Sequence, residues 1–205
     1  MNTVAIGDVH GCYTLLKETI KPLIGTQSEV VFLGDLIDRS PEPEGDLKVL
    51  RYVHNLQTNP QDYGLSNVTV LKGNHEQLFL KAIANGTNSS AYDFWEFNGG
   101  NPELINQADL YIQWLADLPT HYIQGNVLFV HAGVRPGVPL EDQKEADLLW
   151  IREPFLTAPH HGLPYLVVHG HTIVDTPEIH EHRINIDTGA FCTGKLTALT
   201  ISCPS

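Results

Sequence analysis

The stretch Thr3-Val4-Ala5-Ile6-Gly7-Asp8-Val9-His10-Gly11 decides how this chain is read. An apolar run breaks off at a glycine, and an aspartate and a histidine follow with one residue between them. Such a run, bounded by a turn signal, predicts a buried strand and then a loop. The pattern recurs. Val30–Leu33 ends in Gly34-Asp35-Leu36-Ile37-Asp38-Arg39, and Val68–Leu71 is followed by Lys72-Gly73-Asn74-His75-Glu76. Between these runs, Tyr13–Leu23, Leu47–Leu56 and Gln77–Ala84 space their apolar residues for helices. Strand and helix alternate three times in the first 85 residues, which predicts a mainly parallel sheet built of βαβ units.

Farther along, the texture changes. Ala91–Leu118 reads as helix in pieces, broken at Gly99-Gly100, with Trp95, Phe97 and Trp114 as core residues. From His121, the runs Val127–Val130, Tyr165–Val168, Ile184–Ile186 and Leu196–Ile201 are separated by glycine and proline, which predicts a more antiparallel second sheet. The polar loop Asn85–Ser90 is the best candidate for mobility, no linker between the halves is long enough to suggest two domains, and 205 residues suit one domain spanning 1–205.

Composition narrows the function classes. A formal net charge of −12 argues against sequence-independent nucleic-acid binding, which needs Lys and Arg to neutralise phosphates. It also argues against a polybasic membrane anchor. The apolar runs are too short to span a bilayer, and the first residues carry no basic segment with a following apolar core, so a cytoplasmic location is expected. Cys12, Cys192 and Cys203 are too few for a disulfide framework and suit a reducing compartment. Cys12 reads as a small buried side chain.

In open α/β sheets, ligands bind beyond the carboxyl ends of the strands. Three successive strands would then bring Asp8, His10, Asp35, Asn74 and His75 to one place. Two later runs deliver histidine in the same way, at His131-Ala132-Gly133 and His169-Gly170-His171. Carboxylate oxygen with imidazole nitrogen suits manganese, iron or zinc rather than a thiolate-bound metal. One carboxylate between two such sets can bridge two cations, and such a pair can clamp a phosphoryl group for in-line attack.

The motifs GDVHGCY (7–13), GDLIDR (34–39), GNHEQ (73–77), FNGG (97–100), HAG (131–133), LLWIRE (148–153), HGHT (169–172) and IDTGA (186–190) together resemble the phosphoprotein-phosphatase-type, calcineurin-like metallophosphoesterases. The resemblance is strongest to their small bacterial and phage members, and it covers nearly the whole chain. It implies an α/β fold of two packed mixed β-sheets flanked by helices. It implies two divalent cations, Mn²⁺ in the first place with Fe or Zn as alternatives. Asp8 and His10 would hold the first, Asp35 would bridge, and Asn74, His131 and His171 would hold the second. It implies direct attack on phosphorus by a bridging hydroxide, with Arg39 and Arg152 binding phosphate oxygens beside Asn74. His75 would protonate the leaving group, and Asp38 would orient His75. The expected substrate is a phosphoserine or phosphothreonine protein or peptide, with phosphotyrosine as an extension. The alternatives are a dinucleoside polyphosphate such as diadenosine tetraphosphate, and a module that grips phosphoproteins without hydrolysing them.

Some segments depart from that pattern or compete with it. Ser40 stands where the family usually has glycine, and the acidic Pro41–Glu44 that follows could repel acidic substrates. His169 could reach the metal side, being two residues from His171 on one strand face, though a buried structural role is the simpler reading. His180 and His182 would share a strand face at a solvated edge, and Glu141–Asp147 reads as a solvated helix face. Gly189–Lys195 fits the start of a P-loop, but Leu196 replaces the hydroxyl residue and no helix has room to follow.

Overall fold

The computed structural model describes residues 2–202, so Cys203 lies outside the described residues. Among the described residues nine strands occur, in the order β1 Asn2–Ile6, β2 Glu29–Phe32, β3 Asn67–Val70, β4 His121–Gln124, β5 Val127–Val130, β6 Leu166–His169, β7 Glu178–Ile179, β8 Arg183–Asn185 and β9 Ala198–Ser202. The helices are α1 Tyr13–Ile20, α2 Gly45–Thr58, α3 Asn74–Asn85, α4 Ser90–Phe97, α5 Pro102–Ile105, α6 Ile112–Asp117, α7 Glu145–Trp150 and α8 Ala190–Thr193.

The strands form two sheets, ordered β3-β2-β1-β9 and β4-β5-β6-β8-β7. In the first, β1, β2 and β3 pair in parallel as the strand–helix alternation predicts, and β9 closes the far edge antiparallel to β1. The second sheet differs from the antiparallel expectation. Its central pairs, β5 with β6 and β6 with β8, are parallel, and only the outer pairs run antiparallel. The crossover from β5 to β6 contains a single turn of 3-10 helix at Leu140–Asp142 and the six-residue helix α7, both too short to show as an amphipathic stripe.

Strand periodicity sets the layers. Val4, Ile6, Val30, Phe32, Val68 and Val70 face α1, α2 and α3 in one core. Ala5 and Val31 face the other way and meet Val127, Phe129, Val168 and Ile184 between the sheets. Leu128, Val130 and Val167 form the outer face of the second sheet, against Leu148, Ile151 and Phe155. These are two mixed sheets flanked by helices, as the resemblance implied. Glu29, buried at the start of β2, also ties the sheets together: it accepts from Tyr122 Oη at 2.8 Å and from Gln124 of β4, and from Asn67 Nδ2 at 2.9 Å.

Candidate active site

Every site turn follows the carboxyl end of a strand. Asp8 and His10 follow β1, Asp35, Asp38 and Arg39 follow β2, and Asn74 and His75 open α3 after β3. His131 follows β5, and His171 lies two residues past the end of β6. The first two turns interlock, since the amides of Val9 and His10 both donate to the Asp35 carbonyl, at 3.0 and 2.9 Å. Gly34, at φ +101°, sits so close to Gly73 that a Cβ on it would lie 2.5 Å from the Gly73 nitrogen, so a larger residue could not keep the second and third turns together. Glu76 completes the arrangement. Its buried carboxylate accepts the amides of Asp35, Leu36 and Gly73 at 2.7–2.9 Å, although burial and the neighbouring Asp35 push its pKa up to about 7.

Two tight groups share Asp35: His10, Asp35 and His75, and Asp35, His131 and His171. All are buried, and within each group the candidate ligand atoms lie within 4.8 Å of one another. The imidazoles are set up as ligands. His10 Nδ1 donates to the Ile37 carbonyl at 2.9 Å and His131 Nδ1 to the Leu33 carbonyl at 3.0 Å, which leaves each Nε2 as an unprotonated nitrogen with its lone pair facing inward. Burial lowers the pKa of both, so each is neutral with a single proton to give. His131 Nε2 then stands 2.8 Å from Asn74 Oδ1. Two lone-pair atoms that close are reconciled by a cation lying against both. Asp8 Oδ1 and His171 Nε2 are likewise buried with no hydrogen-bond partner, while Asp8 Oδ2 accepts the His171 amide at 3.0 Å. These residues fit divalent cations with oxygen and nitrogen ligands.

The charges follow from packing. Burial pushes the Asp35 carboxyl up, but His131, His75 and His10 around it outweigh that and hold it below the usual range. Burial raises Asp8 well above its ordinary value, reinforced by Asp187 and Asp35. Burial also opposes a charged His75, yet Asp35 and Asp38 outweigh it and raise the His75 pKa. His75 Nδ1 donates to Asp38 Oδ2 at 2.7 Å, and its Nε2 is 4.0 Å from Asp35 Oδ2.

Around the rim, Arg39 Nη1 donates to His10 Nε2 at 3.3 Å, and the more exposed Arg152 donates to the His171 carbonyl at 3.4 Å. All the residues expected for the site therefore meet in one place, with His75 rather than Asp8 completing the tight group around His10. His169 does not join them. It is fully buried against Phe155, with ring centroids 5.0 Å apart, and its Nδ1 bonds to its neighbour's carbonyl. In the acidic segment after Arg39, Glu42 is engaged by the amide and hydroxyl of Thr14 at the start of α1, at 2.9 and 2.8 Å. His180 and His182 lie in the turn between β7 and β8, not on a strand face. Sequence reading assigned no role to Glu76, to Asp187 or to Phe191, whose ring lies 5.2 Å under the Arg39 guanidinium. Of the aromatic residues expected in the core, Trp95 is buried but bonds Asp38, whereas Phe97 is 87% exposed at the end of α4.

A family model described as calcineurin-like phosphoesterase matches residues 1–188. The chain belongs to the calcineurin-like phosphoesterase family. That fold implies a dimetal centre, and the two His/Asp groups around Asp35 could hold its ions. The phosphoesterase is 27% identical to an asymmetrical bis(5'-nucleosyl)-tetraphosphatase of Bacillus mycoides, over 98% of this chain and 93% of that one. It is 30% identical to serine/threonine-protein phosphatase 1 of Salmonella typhimurium, over 96% of this chain and 90% of that one. A solved structure described as a diadenosine tetraphosphatase candidate shares the fold with a TM-score of 0.73 at 20% identity, over 98% of this chain and 89% of that one.

Proposed function

We propose that this phosphoesterase hydrolyses dinucleoside polyphosphates in a two-metal site. The observation that carries the chemistry is the buried set Asp8, His10, Asp35, Asn74, His131 and His171, whose lone pairs converge beside Arg39 and Arg152. Asp8, His10 and Asp35 would hold one cation, and Asp35, Asn74, His131 and His171 the other. Mn²⁺ is our assignment, with Fe or Zn as alternatives for the same donors. Such cations supply Lewis acidity and an activated water for attack at phosphorus. Arg39 and Arg152 bind phosphate oxygens and steady the charge that grows there. His75, held by Asp38, gives a proton to the leaving oxygen.

Fold does not fix substrate. The nucleotide reading is supported by the full-length similarity to a tetraphosphatase. It is supported too by a groove of about 320 Å³ lined by Gln77, Leu78, Lys81, Ala91, Phe94 and Trp150. Trp150 reaches the site there, with its ring 6.1 Å from His171, and offers a flat surface to a base. The phosphoprotein reading, which the motifs alone put first, becomes second, and the similarity to the Salmonella enzyme favours it.

The test is hydrolysis of diadenosine tetraphosphate against a phosphothreonine peptide, after chelation and again with Mn²⁺ restored. Faster nucleotide cleavage, returning only with metal, is expected. Faster peptide cleavage would transfer the assignment to a protein phosphatase. Silence on both from folded, metal-loaded protein would leave a binding module. Asp35→Asn should lose bound metal and turnover together, and full activity in that variant would remove Asp35 from the bridging position.

A further inference from the structure

The Asp38 carboxylate is fully buried and has a second partner besides His75. Trp95 Nε1 donates to both of its oxygens, at 3.0 and 2.9 Å, while His75 Nδ1 bonds Oδ2 alone. A carboxylate held by one bond can swing about its own axis, whereas a donor shared between both oxygens fixes its plane. Trp95 is itself immobilised. It is wholly buried, its ring lies 5.5 Å from Phe79 and 5.6 Å from Tyr92, and a Cβ on Gly100 would come within 2.3 Å of the indole. The same segment grips the next residue, since Arg39 donates its amide to the Gly99 carbonyl at 2.9 Å and its Nε to the Asn98 carbonyl at 3.2 Å. Asp38 and Arg39 both have left-handed φ, +69° and +59°, a conformation their own backbone does not favour and that outside contacts must hold.

We propose that Trp95 is a positioning residue of this site: its indole N–H fixes the plane of Asp38 and thereby aims His75 Nε2 at the leaving-group oxygen. This rests on the reading of His75 as the general acid. Trp95→Phe removes the donor and keeps most of the ring. On metal-loaded protein, its kcat should fall about 10–100-fold for phenyl phosphate, the equivalent of one hydrogen bond to a charged group. For p-nitrophenyl phosphate, whose leaving group needs little proton, the loss should be small. Bound metal should not change. In an Asp38→Asn background the same substitution should add nothing, because residues acting through one group are not additive. Leu104→Ala, in the same core but far in sequence from the dyad, should lower stability without this substrate selectivity.

Equal losses on both substrates, or losses that add in the double variant, would overturn the inference. If Trp95→Phe does not fold, the wild-type Trp95 indole N–H resonance decides. It should move on Asp38→Asn, and a resonance that stays in place would also overturn it. His75→Asn separates the two levels. If that variant shows no leaving-group selectivity, the general-acid reading itself fails. If it shows selectivity and Trp95→Phe does not, only the role of Trp95 fails.

Discussion

Among the described residues, seven that are not glycine have a left-handed φ, and five of them are His10, Asp35, Asp38, Arg39 and His171. Each such residue costs about 1–3 kcal/mol and persists only where its surroundings over-determine it. The strain therefore falls on the side chains that must converge, and glycine flanks three of the five, at His10-Gly11, Gly34-Asp35 and Gly170-His171, which is how the sequence reveals them. His75 carries the sharpest expectation. His75→Asn should keep its metal and lose about 10²–10⁴-fold in turnover of an alkyl phosphate, the range for a placed general acid, with a smaller loss on p-nitrophenyl phosphate. A steady-state comparison of the two substrates checks this, and equal losses would end the acid assignment. The metal-facing residues were legible because each repeats one local pattern, a strand end, a glycine and a ligand. Trp95 and Phe191 were not, since an aromatic ring in a helix looks like core until its distant partner is known. Asp187 was quoted in a motif, but its approach to Asp8 depends on the packing of two sheets.

At the scale of elements, the first turn of α3 does two tasks. It presents Asn74 and His75, and through Glu76 it binds three backbone amides, those of Asp35 and Leu36 in the neighbouring turn and that of its own N-cap Gly73. Each orphaned amide costs about 1–3 kcal/mol. Glu76→Ala should lower unfolding free energy by on the order of 3 kcal/mol or more and weaken metal retention, whereas Glu76→Gln, with one oxygen kept, should fall in between. Denaturant melts with metal analysis measure both, and a loss below about 1 kcal/mol would show that the amides find other partners. The strands that carry the site were readable as elements because they are buried on both faces and therefore continuously apolar, as in Val-Val-Phe of β2 and Val-Leu-Phe-Val of β5. What could not be read was how the later strands pair. The half-exposed β4 and the two-residue β7 carry no alternation strong enough to mark them. Strand direction in the second sheet depends on a crossover that is mostly loop.

Stability belongs to the whole molecule, and a carboxyl outside the ligand set gives it a pH dependence. Asp46, in the first turn of α2, is almost wholly buried, its Oδ1 has no hydrogen-bond partner, and burial with the nearby Asp38 pushes its pKa up to about 6. The folded protein thus binds this proton more tightly than the unfolded chain, so between the ordinary carboxylate range and about pH 6 stability falls as pH rises. By pH 8 the full loss, on the order of 2–3 kcal/mol, is in place. Asp46→Asn has no such proton. It should melt higher than wild type at pH 8 and together with it at pH 4, and parallel curves across that range would exclude Asp46 as the cause. The closing of the first sheet has a different kind of consequence. Among the described strands β9 comes after all the others in chain order, and it pairs along all of β1, the earliest. Through translation, at about 5–20 residues per second, one edge of β1 stays uncovered for on the order of 10–40 s. An open apolar strand edge is a template for pairing with other chains. The nascent chain must be shielded for that interval, by its own partly folded first half or by a chaperone, until β9 docks along β1.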